Sequence, residues 1–147
     1  FVVADEPTSM LDVSIRTGVM KLLSELREDF GISYLYITHD LAVARYLCDR
    51  IAVMYLGKIV EIAGSEDVIN NSLHPYTRAL ISAVPVPDPA VVRPVPNVRG
   101  GVSKPINPHP RCRFYERCPV AQKVCQESDH PGLREVEGNH FAACHLL

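Results

Sequence analysis

An apolar run, an amphipathic segment and a second apolar run follow one another within the first forty residues, and that order leaves few topologies open. Phe1-Val2-Val3-Ala4 ends in Asp5-Glu6-Pro7. A short apolar run closed by turn residues suits a strand buried on both faces of a sheet. Asp12 offers a carboxylate to the free N–H groups of a helix start. Ile15, Val19, Leu22, Leu23 and Leu26 recur at helical spacing, and Gly31 stands where a left-handed residue ends a helix. Ser33–Thr38 reads as a second strand. Strand, helix and strand at these lengths form a βαβ unit, so the two strands should be parallel.

Further along, Asp40 can cap a short helix over Leu41–Cys48. Arg50–Leu56 and Ile59–Ala63, split by Gly57-Lys58, predict a hairpin. Ser65-Glu66-Asp67 opens another helix with acids at its positive end. Pro75 occupies a first-turn position and starts a helix through about Val84. The expected fold class is α/β.

Composition separates the two ends of the chain. Ten of twelve prolines fall after Val84, as do four of five cysteines. Residues 1–84 carry 7 Lys+Arg against 11 Asp+Glu, and residues 85–147 carry 8 against 6. Three segments follow: an α/β module at 1–84, a Pro-rich linker at 85–110 and a cysteine-rich module at 111–147. Eight prolines within 26 residues favour an extended backbone. Such a linker spans on the order of 80 Å at full extension. It reads equally well as a strap on the α/β module. The net charge of −2 excludes a strongly basic nucleic-acid binder. No run of 18 apolar residues predicts a membrane span. The chain begins inside an apolar run without Met, which suggests a fragment.

In open parallel sheets, ligands bind beyond the carboxyl ends of the strands. Asp5, Glu6 and His39 all fall at such ends. Adjacent acids diverge and serve different partners. One can hold a hydrated Mg²⁺ and the other can orient a water, while the histidine senses a terminal phosphate. Two acids after a strand also serve commonly as turn and cap residues, and a strand-end histidine is more often structural.

The longer stretch Asp5-Glu6-Pro7-Thr8-Ser9-Met10-Leu11-Asp12, with Ile37-Thr38-His39-Asp40, resembles the ABC-type ATPases. The resemblance implies that Asp5 supports Mg²⁺, Glu6 is the general base and His39 contacts the γ-phosphate of ATP. Ser9 to Asp12 would face a second ATPase domain across a dimer. Met10 stands where the family usually has Ala. None of the eight glycines forms G-x-x-x-x-G-K-[ST], and the family's Leu-Ser-Gly-Gly-Gln signature is absent. In the family both precede the Asp-Glu strand. The chain is therefore expected to be the C-terminal part of a longer ATPase and to hydrolyse essentially no ATP alone.

The 37 residues from Arg111 rarely suffice for a fold without a staple. Their cysteines run Cys112-x5-Cys118-x6-Cys125-x18-Cys144. Disulfides are disfavoured for an ATPase of the reducing cytosol. Clustering favours a four-thiolate metal site over unrelated buried thiols. Structural zinc usually shows pairs spaced by two to four residues. Wider, uneven spacing is easier to reconcile with an iron–sulfur cluster. Zinc is the alternative. His140 and His145 flank Cys144, and Arg111, Arg113 and Arg117 supply positive charge nearby. Cys48 lies outside the pattern and reads as a small buried hydrophobe.

His74-Pro75-Tyr76-Thr77-Arg78-Ala79-Leu80, Cys112-Arg113-Phe114, Arg117-Cys118-Pro119 and His140 to Leu146 resemble the C-terminal extension of oligopeptide, dipeptide and nickel importer ATPases. That resemblance implies a [4Fe-4S] cluster on Cys112, Cys118, Cys125 and Cys144. It implies a peripheral subunit on the cytoplasmic face of the membrane. Its partners would be a second ATPase subunit, a permease pair and, indirectly, an extracytoplasmic peptide-binding protein. Two rivals are a metal-binding interaction module on an ATPase scaffold and a soluble ABC ATPase.

Overall fold

The computed structural model describes residues 1–84, 98–101 and 106–147, so most of the expected 85–110 linker lies outside the described residues. The described chain is mixed α/β and divides into two compact units, Phe1–Asp49 and Arg50–Leu147. That division falls ahead of the compositional break at Val84.

The first unit contains the expected βαβ element. Strand β1 (Val2–Asp5) pairs in parallel with β2 (Tyr34–Ile37), with Asp5 opposite Ile37. Helix α1 (Val13–Phe30) starts where the Asp12 carboxylate accepts the Ile15 N–H at 3.0 Å. It stops at Gly31, whose φ of 63° is left-handed and free of Cβ strain. Helix α2 (Leu41–Leu47) is capped by Asp40, which accepts from the Ala42 and Val43 N–H groups. One expectation fails. The apolar strand β1 is not buried on both faces: Val2 is 41% and Val3 57% exposed. Two paired strands are too few to close a covered sheet. Helix α1 likewise holds no buried residue.

The second unit is built on a four-stranded antiparallel sheet of order β3-β4-β6-β5. Strands β3 (Arg50–Tyr55) and β4 (Lys58–Gly64) form the expected hairpin. Leu56 and Gly57 turn it with φ of 47° and 76°, the positive pair a tight hairpin turn requires. Ile51, Val53 and Tyr55 alternate inward along β3. Helix α3 (Ser65–Asn70) follows, then α4 (Pro75–Ala83). In the cysteine-rich segment lie a 3₁₀ turn at Tyr115–Arg117 and helix α5 (Lys123–Glu127). Strands β5 (Arg134–Glu137) and β6 (His140–Ala142) complete the sheet. Strand β6 pairs with β4, placing Ala142 opposite Glu61. Residues after Arg111 are thus part of the hairpin's own sheet. Among the described residues no helix is long and apolar enough to cross a membrane.

Candidate functional site

The first unit brings the strand-end residues together. Glu6 follows β1 directly and adopts a left-handed φ of 44°, uncommon for a residue with a side chain. Its N–H extends the sheet by donating to the Ile37 carbonyl at 2.9 Å. Glu6 Oε1 then lies 2.8 Å from His39 Nδ1, 33 residues away in sequence. Both side chains face solvent, at 44% and 75% exposure, so the pair is open to a ligand. Asp5 is the last residue of β1 and is exposed. Ser9 and Asp12 take local structural bonds. The Ser9 hydroxyl donates to the Glu6 carbonyl at 2.9 Å, and Asp12 caps α1. Thr8 is nearly buried, with its hydroxyl 3.1 Å from that of Tyr36.

The second unit gathers the four late cysteines. The Cys112 thiol lies within electrostatic reach of Cys125, Cys144 and Cys118, and Cys118 within reach of Cys125 and Cys144. Burial is the main force pushing both thiols above their usual pKa, and the neighbouring sulfurs add to it. The Leu146 N–H donates to the Cys144 sulfur at 3.5 Å, while the Phe114 and Val120 backbones act against the upward shift of Cys112 and Cys118. The side chains are not drawn to one point, however. Among the described residues no three His, Cys, Asp or Glu are close enough together to hold a single metal ion. Buried donors without an acceptor accumulate in the same segment: Arg113 Nε, Arg117 Nε and His130 Nε2. His130 accepts the Arg113 N–H at Nδ1, so in the neutral ring the hydrogen sits on Nε2. Cys48 is half-buried rather than fully buried.

Sequence reasoning passed over the polar centre of this unit, Glu61. Its carboxylate is fully buried and accepts three hydrogen bonds. The Leu73 and His74 N–H groups donate at 2.8 Å each, and His140 Nε2 lies at 2.7 Å. His74 is also buried and caps α4, its Nδ1 accepting the Tyr76 N–H at 3.0 Å. Burial drives the His74 pKa down to about 4, although Glu61 pulls the other way. Phe114 closes the centre, with its ring 5.2 Å from Tyr55, 5.4 Å from Tyr76 and 5.8 Å from His74. A charged residue within Ile59-Val60-Glu61-Ile62-Ala63 was the available signal, since strand acids are rarely buried unless paired.

A mixed α/β chain with one parallel strand pair and one antiparallel sheet is consistent with the C-terminal part of an ABC-type ATPase. Comparison with known proteins is more specific. Residues 60–125 match the family described as oligopeptide/dipeptide transporter, C-terminal region. A peptide import ATP-binding protein of Brucella ovis is 51% identical over 144 residues, 98% of this chain and 45% of that protein. The oligopeptide transport ATP-binding protein AppF of Bacillus subtilis is 47% identical over 99% of this chain and 44% of its own length. YkfD of the same organism, named for oligopeptide transport ATP binding, is 45% identical over 99% of this chain and 45% of its own length. The chain is similar to proteins named for ATP binding in peptide and oligopeptide transport. It spans less than half the length of these curated relatives.

Proposed function

We propose that residues 1–147 supply the hydrolytic edge and the C-terminal extension of an ABC-type ATPase that couples ATP hydrolysis to uptake of oligopeptides or dipeptides. The contact that carries this reading is Glu6 Oε1 to His39 Nδ1 at 2.8 Å, on side chains open to solvent. In this reading Glu6 is the general base that takes a proton from the attacking water. Asp5 holds Mg²⁺, which supplies charge neutralisation on the phosphates. His39 offers its second ring nitrogen to the γ-phosphate. Ser9 to Asp12 face a partner ATPase domain, the same or a paralogous subunit. The permease pair, the extracytoplasmic peptide-binding protein and a cytoplasmic, membrane-peripheral location belong to the same proposal.

The activity is assigned to a protein of the relatives' length, because these 147 residues contain no G-x-x-x-x-G-K-[ST] loop. In that protein Glu6→Gln lowers turnover by about 10²–10⁴-fold while nucleotide binding persists. Near-normal turnover defeats the assignment. The isolated chain should turn over no ATP and bind it weakly.

The segments at 1–84, 85–110 and 111–147 are proposed as ATPase part, linker and extension. For the extension we propose an iron–sulfur cluster on Cys112, Cys118, Cys125 and Cys144. The mutual reach of the thiols and the Leu146 N–H that donates to the Cys144 sulfur support it. Protein purified without oxygen should be brown and carry iron. Colourless protein with stoichiometric zinc replaces the cluster by a four-thiolate zinc site.

A further inference from the structure

We propose that Thr8, Tyr36, Arg16 and Asp40 form a cross-brace that sets the ring orientation and tautomer of His39, a positioning role that rests on the reading of Glu6 and His39 given above. Two ties join the segment that follows β1 to β2 and to the loop after it. The Thr8 and Tyr36 hydroxyls meet at 3.1 Å, with Thr8 only 4% exposed. Arg16, on the first turns of α1, donates to the Leu11 carbonyl at 3.4 Å and to Asp40 Oδ2 at 3.3 Å. Asp40 uses its other oxygen to cap α2 directly behind His39. Arg16 therefore holds the end of one loop and the exit of the other with one guanidinium, whose fork geometry suits two acceptors. In sequence Glu6 stands two residues before Thr8 and His39 one residue before Asp40, and their contact is itself exposed. An exposed pair of this kind is weak on its own, so its geometry depends on how firmly the two loops are held.

The chemical consequence follows from the acceptor. A carboxylate only accepts, so the hydrogen of this bond sits on His39 Nδ1. In the neutral ring Nε2 is then an acceptor, so contact with an acceptor-only γ-phosphate oxygen requires a hydrogen on that nitrogen as well. Loosening either tie lets the ring leave Glu6 and lose this bias.

The test uses the chain itself and long-range ¹⁵N NMR of the His39 ring at alkaline pH, with His39→Gln to assign it. Wild type should show mainly the Nδ1–H form. Glu6→Ala should lower the Nδ1–H to Nε2–H ratio about tenfold, the order of one charge-assisted hydrogen bond. Tyr36→Phe and Arg16→Met should each lower it at least about threefold, a fraction of that bond. Lys21→Met, on the same helix but paired only with Glu25, should leave it unchanged. A wild-type ring already in the Nε2–H form overturns the Glu6–His39 pairing. A wild-type Nδ1–H ring that is indifferent to Tyr36→Phe and Arg16→Met overturns the brace and spares the pairing.

Discussion

Among the described residues two Glu–His pairs occur at nearly the same distance, 2.8 Å for Glu6–His39 and 2.7 Å for Glu61–His140. Their surroundings are opposite. Glu6 and His39 project from loops into solvent in a unit that exposes Val3, Ile15, Leu22 and Leu35. Glu61 is fully buried and has both oxygens engaged, in a unit whose Val60, Val68, Ala63 and Phe114 are at or near zero exposure. Residue type and distance do not separate the pairs; spare valence does. A satisfied buried carboxylate has nothing left to offer a ligand, whereas an exposed one keeps open lone pairs.

Stability measurements can break or sharpen this contrast. The largest effect is expected for Glu61→Ala, which orphans His140 and two backbone N–H groups. Removing one partner of a buried pair typically costs about 3–5 kcal/mol, read here as a shift in urea midpoint of the second unit. A loss below about 1 kcal/mol would mean that water satisfies the site.

His74 comes next. Its pKa of about 4 lies below the unfolded value of about 6.5. The unfolded chain therefore binds more protons between these values, and stability falls as pH drops from about 6.5 to about 4. The full loss is about 3 kcal/mol, chiefly because burial disfavours the charged ring. His74→Asn keeps a cap without titrating, so its stability should lack this component. Equal slopes in the two proteins would contradict the assignment.

In the first unit effects should be smaller. Asp12→Ala removes the α1 cap and should cost about 1 kcal/mol, measured as helix loss by circular dichroism and a lower midpoint. Glu6→Ala should change stability by less than about 1 kcal/mol, as exposed ion pairs do. A large destabilisation there would make Glu6 a staple like Glu61.

Local signals carried the first unit. Asp12 and Gly31 marked both ends of α1 to the residue, because caps depend on neighbours within one turn. The Glu6–His39 contact was legible because parallel strands bring their carboxyl ends side by side. The exposure of β1 was not, since an apolar run shows what a strand can bury and not what covers it. Strands β5 and β6 escaped the reading although Gly138-Asn139 is a hairpin dipeptide, with φ of 50° and 65°. The cysteines drew attention away from them. The Glu61 centre joins residues 79 apart, a pairing that no local pattern encodes.

The last strand of the chain is an interior one. Strand β6 lies between β4 and β5, and the Ala143 N–H reaches the Val60 carbonyl at 2.8 Å. During synthesis the outer edge of β4 therefore stays unpaired until His140–Ala142 has emerged from the ribosome. A product that stops short of His140 would present that edge, with its apolar side chains, to any neighbouring chain. Truncation before His140 should thus show itself as aggregation rather than as a merely shortened protein.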